Sequence, residues 1–282
     1  MLTRSPLFAL PVIFAAAACG GPEPRDASSA APVTVYNTAA VVQGPQTVSD
    51  VPTSPQVEAV LAEPDRDARD RALDRRYQAA DVLSFFALPP GARVAELAAG
   101  GGYFTELLAR NVGEGGRVFA NEPAALVQGS NIEHALDARL EQPINAGVVR
   151  SSRDLAAPLP GDAHDLDLAY LSLPYRTARG LGVDTSAMDR AVFAALKPGG
   201  RFIVLDYRPV AGGPTRTNLH AVHAAEAASV RRQMEDAGFV FVAEGRFLHN
   251  DPKPGEWDSI DAEVPTALEE QDRFLLEFKR PR

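Results

Sequence analysis

Residues 93–108 read RVAELAAGGGYFTELL, and this stretch decides the fold. Its first five residues predict a short strand, and Phe104, Leu107 and Leu108 recur at the spacing of one helix face. The small residues at 98–102 predict a tight turn that opens the helix. Such a turn presents backbone N–H groups at the start of a helix, where a ligand can approach them. A tight turn without a ligand also needs small residues, so the stretch alone leaves both interpretations open.

The alternation of strand and helix continues along the chain. Short apolar segments predict further strands at 117–120, 148–150, 166–171 and 202–205. Helices are predicted between them at 132–140 and 188–196. A continuous apolar run such as 202–205 is typical of a strand that is covered on both faces. Strands separated by helices predict a parallel sheet with right-handed crossovers.

The end of the chain departs from this alternation. A helix is predicted at 219–237, followed by a strand at 239–242, a polar loop and a last strand at 274–278. No helical pattern separates these two strands, so they are expected to pair antiparallel. The sequence thus predicts an α/β protein with a Rossmann-like, mostly parallel sheet, an antiparallel last strand and helices on both faces.

A charged helix is predicted ahead of the glycine-rich stretch. It contains two oppositely charged pairs at helical spacing, Arg66 with Asp70 and Asp67 with Arg71. A solvated face without function is the simpler interpretation, and the alternative is that one arginine reaches over a ligand cleft. A short amphipathic helix is predicted to follow at 79–86.

The composition excludes several classes of protein. The 282 residues are 45% hydrophobic and 23% charged, which is ordinary globular composition. A net charge of -9 leaves no broad positive surface, so binding to nucleic acid is not expected. The single cysteine, Cys19, excludes an internal disulfide and a multi-thiolate metal site. The five histidines are not clustered with other ligands, so no metal site is expected.

Residues 1–18 resemble a bacterial lipoprotein signal peptide. Arg4 is followed by an apolar run at 7–14 and by four alanines directly before Cys19. The apolar run is too short for a transmembrane helix, which needs roughly 20 residues. The resemblance implies cleavage before Cys19, a lipid on that cysteine and a cell-envelope location. The residue after the cysteine is Gly20 rather than an aspartate. In bacterial lipoproteins this resemblance favours sorting to the outer membrane, with the protein facing the periplasm. The alternative is an ordinary buried cysteine.

The segment after the signal has a different composition from the rest. Residues 19–55 are rich in Gly, Pro, Ala, Ser and Thr, with no large apolar residues spaced to form a helix face. Such a segment buries too little apolar surface to offset its conformational entropy, so a flexible tether is expected there. The folded domain is expected at 56–282.

The chain resembles the class I S-adenosylmethionine-dependent methyltransferases, and more closely a bacterial family of predicted methyltransferases. The resemblance runs from about Arg66 to Lys279 and rests on residues 94–106, on KPGG at 197–200, on Leu-His at 219–220 and on the final strand pair. It implies a seven-stranded sheet with the antiparallel seventh strand between the fifth and sixth. It also implies S-adenosylmethionine as cofactor and a small-molecule or envelope component as methyl acceptor.

The resemblance further implies which residues contact the cofactor. The turn faces its methionine end, Glu122 its ribose and Asp154 its adenine. Glu122 follows the second strand, where a carboxylate can accept hydrogen bonds from both ribose hydroxyls. Ala98 stands where the class has glycine, and its methyl group could crowd the cofactor. An exposed loop acid is the alternative for Asp154. The expected cofactor-binding residues are Glu96, Ala98, Gly100, Gly102, Glu122 and Asp154.

Three residues are candidates for catalysis. Methyl transfer is an in-line displacement, so the protein must align the acceptor and sometimes remove its proton. Helical periodicity places His223 on the face of Leu219, with Glu226 able to fix its tautomer. The resemblance instead carries over His220, and it identifies Tyr175 as a substrate-facing residue after the fourth strand. For the two histidines the alternative is a structural hydrogen bond or an exposed side chain, and for Tyr175 the alternative is packing.

Three functions are compatible with these patterns. The first is a lipid-anchored methyltransferase. The second is a binding or scaffold lipoprotein that kept the fold and lost the chemistry, because the cofactor is made in the cytoplasm and the sequence does not explain its supply outside. The third is a nicotinamide dehydrogenase, which the terminal strand pair and the glycine spacing disfavour. The sequence does not indicate an oligomeric state.

Overall fold

One sheet of eight strands forms the centre of the computed structural model, which describes residues 45–130, 132, 134–207, 227–248 and 273–282. The strands are β1 (Gln46–Val48), β2 (Arg93–Leu97), β3 (Arg117–Asn121), β4 (Val148–Ser151), β5 (Leu166–Leu171), β6 (Leu196–Tyr207), β7 (Val240–Gly245) and β8 (Arg273–Lys279). Their order in space is β1-β7-β8-β6-β5-β2-β3-β4. Only the pairs that β8 makes with β6 and β7 are antiparallel. The predicted mostly parallel sheet with an antiparallel last strand is confirmed.

Strand β8 lies between β6 and β7, which is where the resemblance puts a seventh strand. The register pairs Phe202 with Phe278 on one side and Phe241 with Phe278 on the other. Phe274, Leu275 and Leu276 are also buried. A strand with neighbours on both sides and layers on both faces has no solvated face, which explains why its sequence is apolar without alternation.

The edge strand β1 corrects two expectations. The sheet has an eighth strand where seven were expected, and this strand belongs to the segment 19–55 that was expected to be a tether. β1 pairs parallel to β7, and the Arg246 N–H donates to the Val48 carbonyl at 2.7 Å. Val48 also packs against the apolar core. Backbone pairing and the packing of Val48 help to hold these three residues against the sheet. Such contacts leave too weak a pattern to be recognised from the composition of the segment.

Nine α-helices surround the sheet in the part of the chain that the structure describes. They are α1 (Pro55–Ala62), α2 (Ala68–Tyr77), α3 (Ala79–Phe86), α4 (Tyr103–Val112), α5 (Ala124–Val127), α6 (Ala135–Leu140), α7 (Tyr175–Gly180), α8 (Thr185–Ala195) and α9 (Ala227–Asp236). The helix predicted at 219–237 is confirmed where it is described, as α9. The short α5 and α7 had no periodic signal.

The two faces of the sheet carry separate apolar cores. On one face, α3 and α4 bury Phe86 and Leu107 against Ile203 of β6. On the other face, α8 buries Val192 in the cluster that contains Phe202 of the same strand. Neighbouring residues of β6 therefore point into different cores, and the prediction of helices on both faces is confirmed.

The charged helix α2 differs from the prediction. It begins at Ala68 with Asp67 as its N-cap, so Arg66 lies outside the helix and cannot form the expected pair with Asp70. Arg66 instead forms a two-pronged ion pair with Asp74, at 2.6 and 2.8 Å. Asp70 is only 8% exposed, so this helix is more than a solvated face.

None of the helices in the described part of the chain is long and apolar enough to cross a membrane.

Candidate functional site

The topology places a crevice at the carboxyl end of β2. The chain runs from β2 to β3 and β4 on one side, then crosses back to β5 on the other side of β2. In open α/β sheets, ligands bind outside the carboxyl ends of the strands at such a switch point. Two hydrogen bonds join the loops there, from the Ala99 N–H to the Asn121 carbonyl at 3.1 Å and from the Ser172 N–H to the Leu97 carbonyl at 3.0 Å.

The glycine-rich turn depends on the left-handed backbone conformation at three positions. Ala98, Gly100 and Gly102 have φ values of 60°, 56° and 80°. A Cβ atom on Gly102 would lie 2.7 Å from a methyl carbon of Leu136, so packing requires glycine there. A Cβ atom on Gly100 would meet nothing within 4 Å. The turn is therefore packed from below at Gly102 and open at Gly100, where a ligand can approach.

The backbone of Ala98 is strained, and the residue type is unusual at this position of the turn. A residue with a Cβ atom in the left-handed conformation costs roughly 1–2 kcal/mol, which glycine avoids. The glycine that the methyltransferase class has at this position thus has a backbone reason. Ala98 keeps the conformation because the turn is fixed on both sides, and the strain lies in the glycine-rich turn.

Glu122 reaches the turn directly. Its carboxylate accepts a hydrogen bond from the Gly100 N–H, and its own N–H donates to the Ser151 carbonyl at 2.9 Å. Glu122 is 4% exposed, and burial raises the pKa of its carboxyl, while the Gly100 N–H opposes that rise. The second carboxylate oxygen has no hydrogen-bond partner among the described residues. The structure thus brings together two residues predicted for the site, with an acceptor oxygen left over.

Glu96 lies beneath the turn. Its two carboxylate oxygens accept from the Thr105 hydroxyl at 2.5 Å and from the Ser172 hydroxyl at 2.6 Å. The side chain is 1% exposed, and burial raises its pKa to about 7 despite these two hydrogen bonds. Glu96 therefore ties β2 to α4 and to the loop after β5. Both of its oxygens are used by the protein, so it supports the turn from within.

Asp154 stands apart from the turn. It is exposed in the loop after β4, and its carboxylate accepts from the Ala156 N–H at 2.7 Å. The buried Asn121, which the sequence did not single out, holds this loop: its side-chain oxygen accepts from the Arg153 N–H at 2.8 Å and from the Ser151 hydroxyl at 2.9 Å. Its position at the end of β3, directly before Glu122, was the available signal.

Tyr175 is part of the core. Its hydroxyl donates to the Asp189 carboxylate at 2.6 Å and accepts from the Gln233 side chain at 2.5 Å. The residue has no exposed surface, and it packs in the cluster of α8 and α9. The packing alternative is therefore the one that the structure supports, and the expectation of a substrate-facing tyrosine is corrected. The reason is that α7 begins at Tyr175, whose side chain packs into the core toward Asp189 of α8 and Gln233 of α9.

The two candidate histidines, His220 and His223, lie outside the described residues, together with Glu226. In the described part of the chain, no group of three or more His, Cys, Asp or Glu is placed to hold a metal ion.

Arg139 is a site residue that the sequence did not reveal. Its Nε donates to the Gly101 carbonyl at 2.9 Å, which fixes the turn from the side of α6. Its guanidinium also contacts Asp70 at 2.5 Å and Glu106 at 2.6 Å. Burial lowers the pKa of Arg139 and the two carboxylates raise it, with a net rise. The partners come from the turn and from two separate helices, α2 and α4, so no local spacing could have indicated them.

Comparison with known proteins agrees with this architecture. No protein-family model matches the chain, and no curated protein sequence matches it. Solved structures do: a SAM-dependent methyltransferase from Aquifex aeolicus has a TM-score of 0.52 at 15% identity, covering 79% of this chain and 98% of that one.

Two further solved structures are similar to the same extent. A Haloferax volcanii methyltransferase, solved with the Trm112 methyltransferase activator, has a TM-score of 0.51 at 20% identity, covering 81% and 98% of the two chains. The [4+2]-cyclase SpnF has a TM-score of 0.50 at 17% identity, covering 80% and 92%. Together with the strand order, these similarities establish that the chain has the Rossmann-like fold of S-adenosylmethionine-dependent methyltransferases.

Proposed function

We propose that this chain is an S-adenosylmethionine-dependent methyltransferase whose cofactor binds across the carboxyl ends of β2, β3 and β5. The observation that carries the proposal is the contact between Glu122 and the Gly100 N–H. It places a buried carboxylate with an unused oxygen beside a turn whose surface is open. The strand order and the similarity of fold to solved methyltransferases support the same assignment.

Each part of the cofactor has residues suited to it. The unused oxygen of Glu122 would accept from a ribose hydroxyl, and the N–H groups of the turn 98–102 would face the methionine carboxylate. Asp154 is proposed for the adenine, which requires its loop to turn toward the crevice. The bound cofactor would supply an electrophilic methyl group. The chain's own residues hold it, exclude water and align the acceptor.

Binding of S-adenosylhomocysteine, measured by calorimetry on the purified chain, tests the proposal. A carboxylate that accepts ribose hydroxyls contributes about 1.5–3 kcal/mol, so Glu122→Ala should weaken binding roughly tenfold or more. Glu114→Ala, an exposed acid in the loop after α4, is the matched control and should bind like the unmodified chain. Absence of heat with both the cofactor and its demethylated product would overturn the proposal.

His220 and His223 remain our candidates to orient or deprotonate the acceptor. Loss of such a group slows turnover by roughly 10²–10⁴, while cofactor affinity changes little. The test is transfer of a labelled methyl group into envelope extracts by His220→Gln and His223→Gln. Unchanged rates in both variants would remove both residues from the site.

We further propose that Cys19 carries a lipid that anchors the protein in the outer membrane, facing the periplasm. The sequence pattern before Cys19 supports this, and so does a segment between Cys19 and β1 of a composition typical of a spacer. Metabolic labelling with a fatty-acid analogue should mark the chain. Equal labelling of Cys19→Ala would contradict the anchor.

A binding or scaffold protein with this fold is the second candidate. The fold alone does not decide the chemistry, since the [4+2]-cyclase SpnF shares it at a similar level of similarity. The strained Ala98 in the turn is a further departure from the methyltransferase pattern. Cofactor binding without transfer to any envelope component would favour this candidate.

A further inference from the structure

A cavity of about 480 Å³ lies beside the junction of α2 and α3, away from the residues assigned to the cofactor. That volume is within the usual range for small-molecule sites. Most of the described residues that line the cavity are polar or charged. The polar residues that line it are Asp74, Arg75, Arg76, Gln78, Asp81 and Arg273.

The topology puts this cavity at the carboxyl edge of the sheet. Arg273 is the first residue of β8 and pairs in register with Tyr207, the last residue of β6. Because β8 runs antiparallel, its first residue lies at the edge where the parallel strands end. In the strand order, β8 lies on the β5 side of β2, whereas β3 and β4 carry the residues proposed for ribose and adenine. The cavity thus lies on the side opposite the nucleoside.

One side chain connects the cavity with the glycine-rich turn. Tyr103 directly follows Gly102, and its hydroxyl donates to the Asp74 carboxylate at 2.6 Å. Asp74 also receives the two-pronged ion pair from Arg66. The Tyr103–Asp74 hydrogen bond therefore connects the turn to the wall of the cavity.

Among the described residues that line the cavity, positive charge is in excess. Arg75 and Arg76 contribute two cations, Arg273 already has partners, and the charge of Asp74 is matched by Arg66. Asp81 is the remaining acid, and both its burial and the negative charge of Asp50 raise the pKa of its carboxyl. An anion is the ligand that this balance favours.

Two of the arginines have buried polar atoms at the cavity. Arg273 is only 5% exposed, and its Nη2 donates to the Gln78 side-chain oxygen at 3.0 Å. Gln78 in turn donates to the Phe247 carbonyl at 3.0 Å, so both ends of its amide are used. The Nε of Arg76 is buried and has no hydrogen-bond partner among the described residues. A buried donor without a partner is costly unless a ligand completes it.

Gln78 also carries backbone strain at the cavity. It has φ 50° and ψ 47°, the left-handed conformation, at the point where α2 ends and α3 begins. Its N–H caps α2 through the carbonyls of Asp74 and Arg75. This conformation costs roughly 1–2 kcal/mol for a residue with a Cβ atom and is retained where it positions a functional group. Here it aims the Gln78 amide at Arg273.

We propose that this cavity binds the methyl acceptor, and that the acceptor carries a carboxylate or phosphate group that Arg76 holds. This inference rests on the proposed function, because it takes the methyl group to lie on the β5 side of the turn. The planar guanidinium groups of arginine match the geometry of carboxylate and phosphate oxygens.

The test uses inorganic phosphate and acetate as probes, titrated by calorimetry into the full chain with and without S-adenosylhomocysteine. At least one probe should bind, and the stronger one identifies the acceptor's acidic group. Arg76→Met should weaken its binding at least tenfold. Arg117→Met should leave it unchanged, because Arg117 is exposed at the start of β3, on the opposite edge of the sheet. Asp81→Asn should strengthen it.

Arg273 is buried, so Arg273→Met could act through folding, and Arg76→Met decides the result. Binding of neither probe to a chain that binds S-adenosylhomocysteine would overturn the inference. Equal affinities in the unmodified chain and Arg76→Met would overturn it too. Failure to bind S-adenosylhomocysteine, with probe binding that depends on Arg76, would overturn the proposed function and keep the anion site.

Discussion

Ala98, a single residue of the glycine-rich turn, carries backbone strain. At Ala98 the left-handed backbone costs roughly 1–2 kcal/mol relative to glycine. The greater freedom of glycine in the unfolded chain returns about 0.4–1 kcal/mol of that. We therefore expect Ala98→Gly to raise the free energy of unfolding by up to about 1 kcal/mol, measured by chemical denaturation.

The control for Ala98 is a buried alanine with ordinary backbone geometry. Ala120, in the middle of the sheet on β3, has no exposed surface. Ala120→Gly should destabilise the chain, since glycine is unfavourable in a strand interior. A loss of stability in both variants would show that Ala98 is not strained.

Glu96 gives the fold a pH dependence. Burial raises the pKa of its carboxyl to about 7, from 4.5 in an unstructured chain. The folded state then binds the proton more tightly than the unfolded state between these two values. The contribution of Glu96 to stability is therefore complete below about pH 4.5 and is lost as the pH rises through about 7.

We expect Glu96→Gln to flatten the decline in stability between pH 5 and pH 8, followed by thermal unfolding, because its amide does not titrate. Burial raises the pKa of Asp189 to about 6, so this carboxyl also makes the fold less stable as the pH rises. Asp189→Asn should therefore remove a separate part of the decline in stability. An unchanged pH profile in Glu96→Gln would mean that its carboxyl is ionised in the fold at neutral pH.

At the scale of elements, one ion cluster fixes the position of the glycine-rich turn. Arg139 of α6 joins Asp70 of α2 to Glu106 of α4 and also holds the Gly101 carbonyl. Glu106 continues the cluster to Arg110 at 2.9 Å. The cluster thus ties α2 and α6 to α4, the helix that opens from the turn.

Arg139→Met should be strongly destabilising. The substitution leaves the largely buried carboxylates of Asp70 and Glu106 with one partner fewer. Breaking a buried ion pair in this way lowers the free energy of unfolding by about 3 kcal/mol or more. Affinity for S-adenosylhomocysteine should fall as well, because the Gly101 carbonyl loses its donor. Arg69→Met is the control, since the Arg69–Asp67 pair is exposed and should contribute little. Equal stability of the two variants would contradict the role of the cluster.

This cluster also marks what the sequence could and could not predict. The strand–turn–helix at 93–108 was predictable because its signals are local: a strand run, small residues and a helical repeat. The partners of Arg66 and Asp70 were predicted wrongly because a shift in the helix start removes one residue from the helix face. Arg139 pairs with Asp70 across 69 positions, and such pairs follow from the folded sheet rather than from spacing.

At the scale of the whole molecule, the mostly parallel sheet followed from alternating periodicity and the place of its last strand from the resemblance, while the edge strand β1 followed from neither. The core strands are predictable because burial on both faces demands continuous apolar runs, as in β6 and β8. β1 has only three residues, two of them exposed, and its pairing with β7 is made by the backbone. Backbone pairing leaves almost no trace in side-chain patterns, so this strand was assigned to the tether.

The last prediction concerns that edge. If β1 belongs to the domain, a chain that starts at residue 43 should be as stable as the chain that starts at Cys19, because only the spacer is lost. A chain that starts at Ser54 keeps the N-cap of α1 but loses β1, the Val48 packing contact and the Arg246–Val48 hydrogen bond. It should unfold at a lower temperature and associate at high concentration, because β7 then presents an unpaired edge. Thermal unfolding and sedimentation of the three chains measure both effects. Equal stability and a monomeric state for the chain that starts at Ser54 would place β1 with the tether after all.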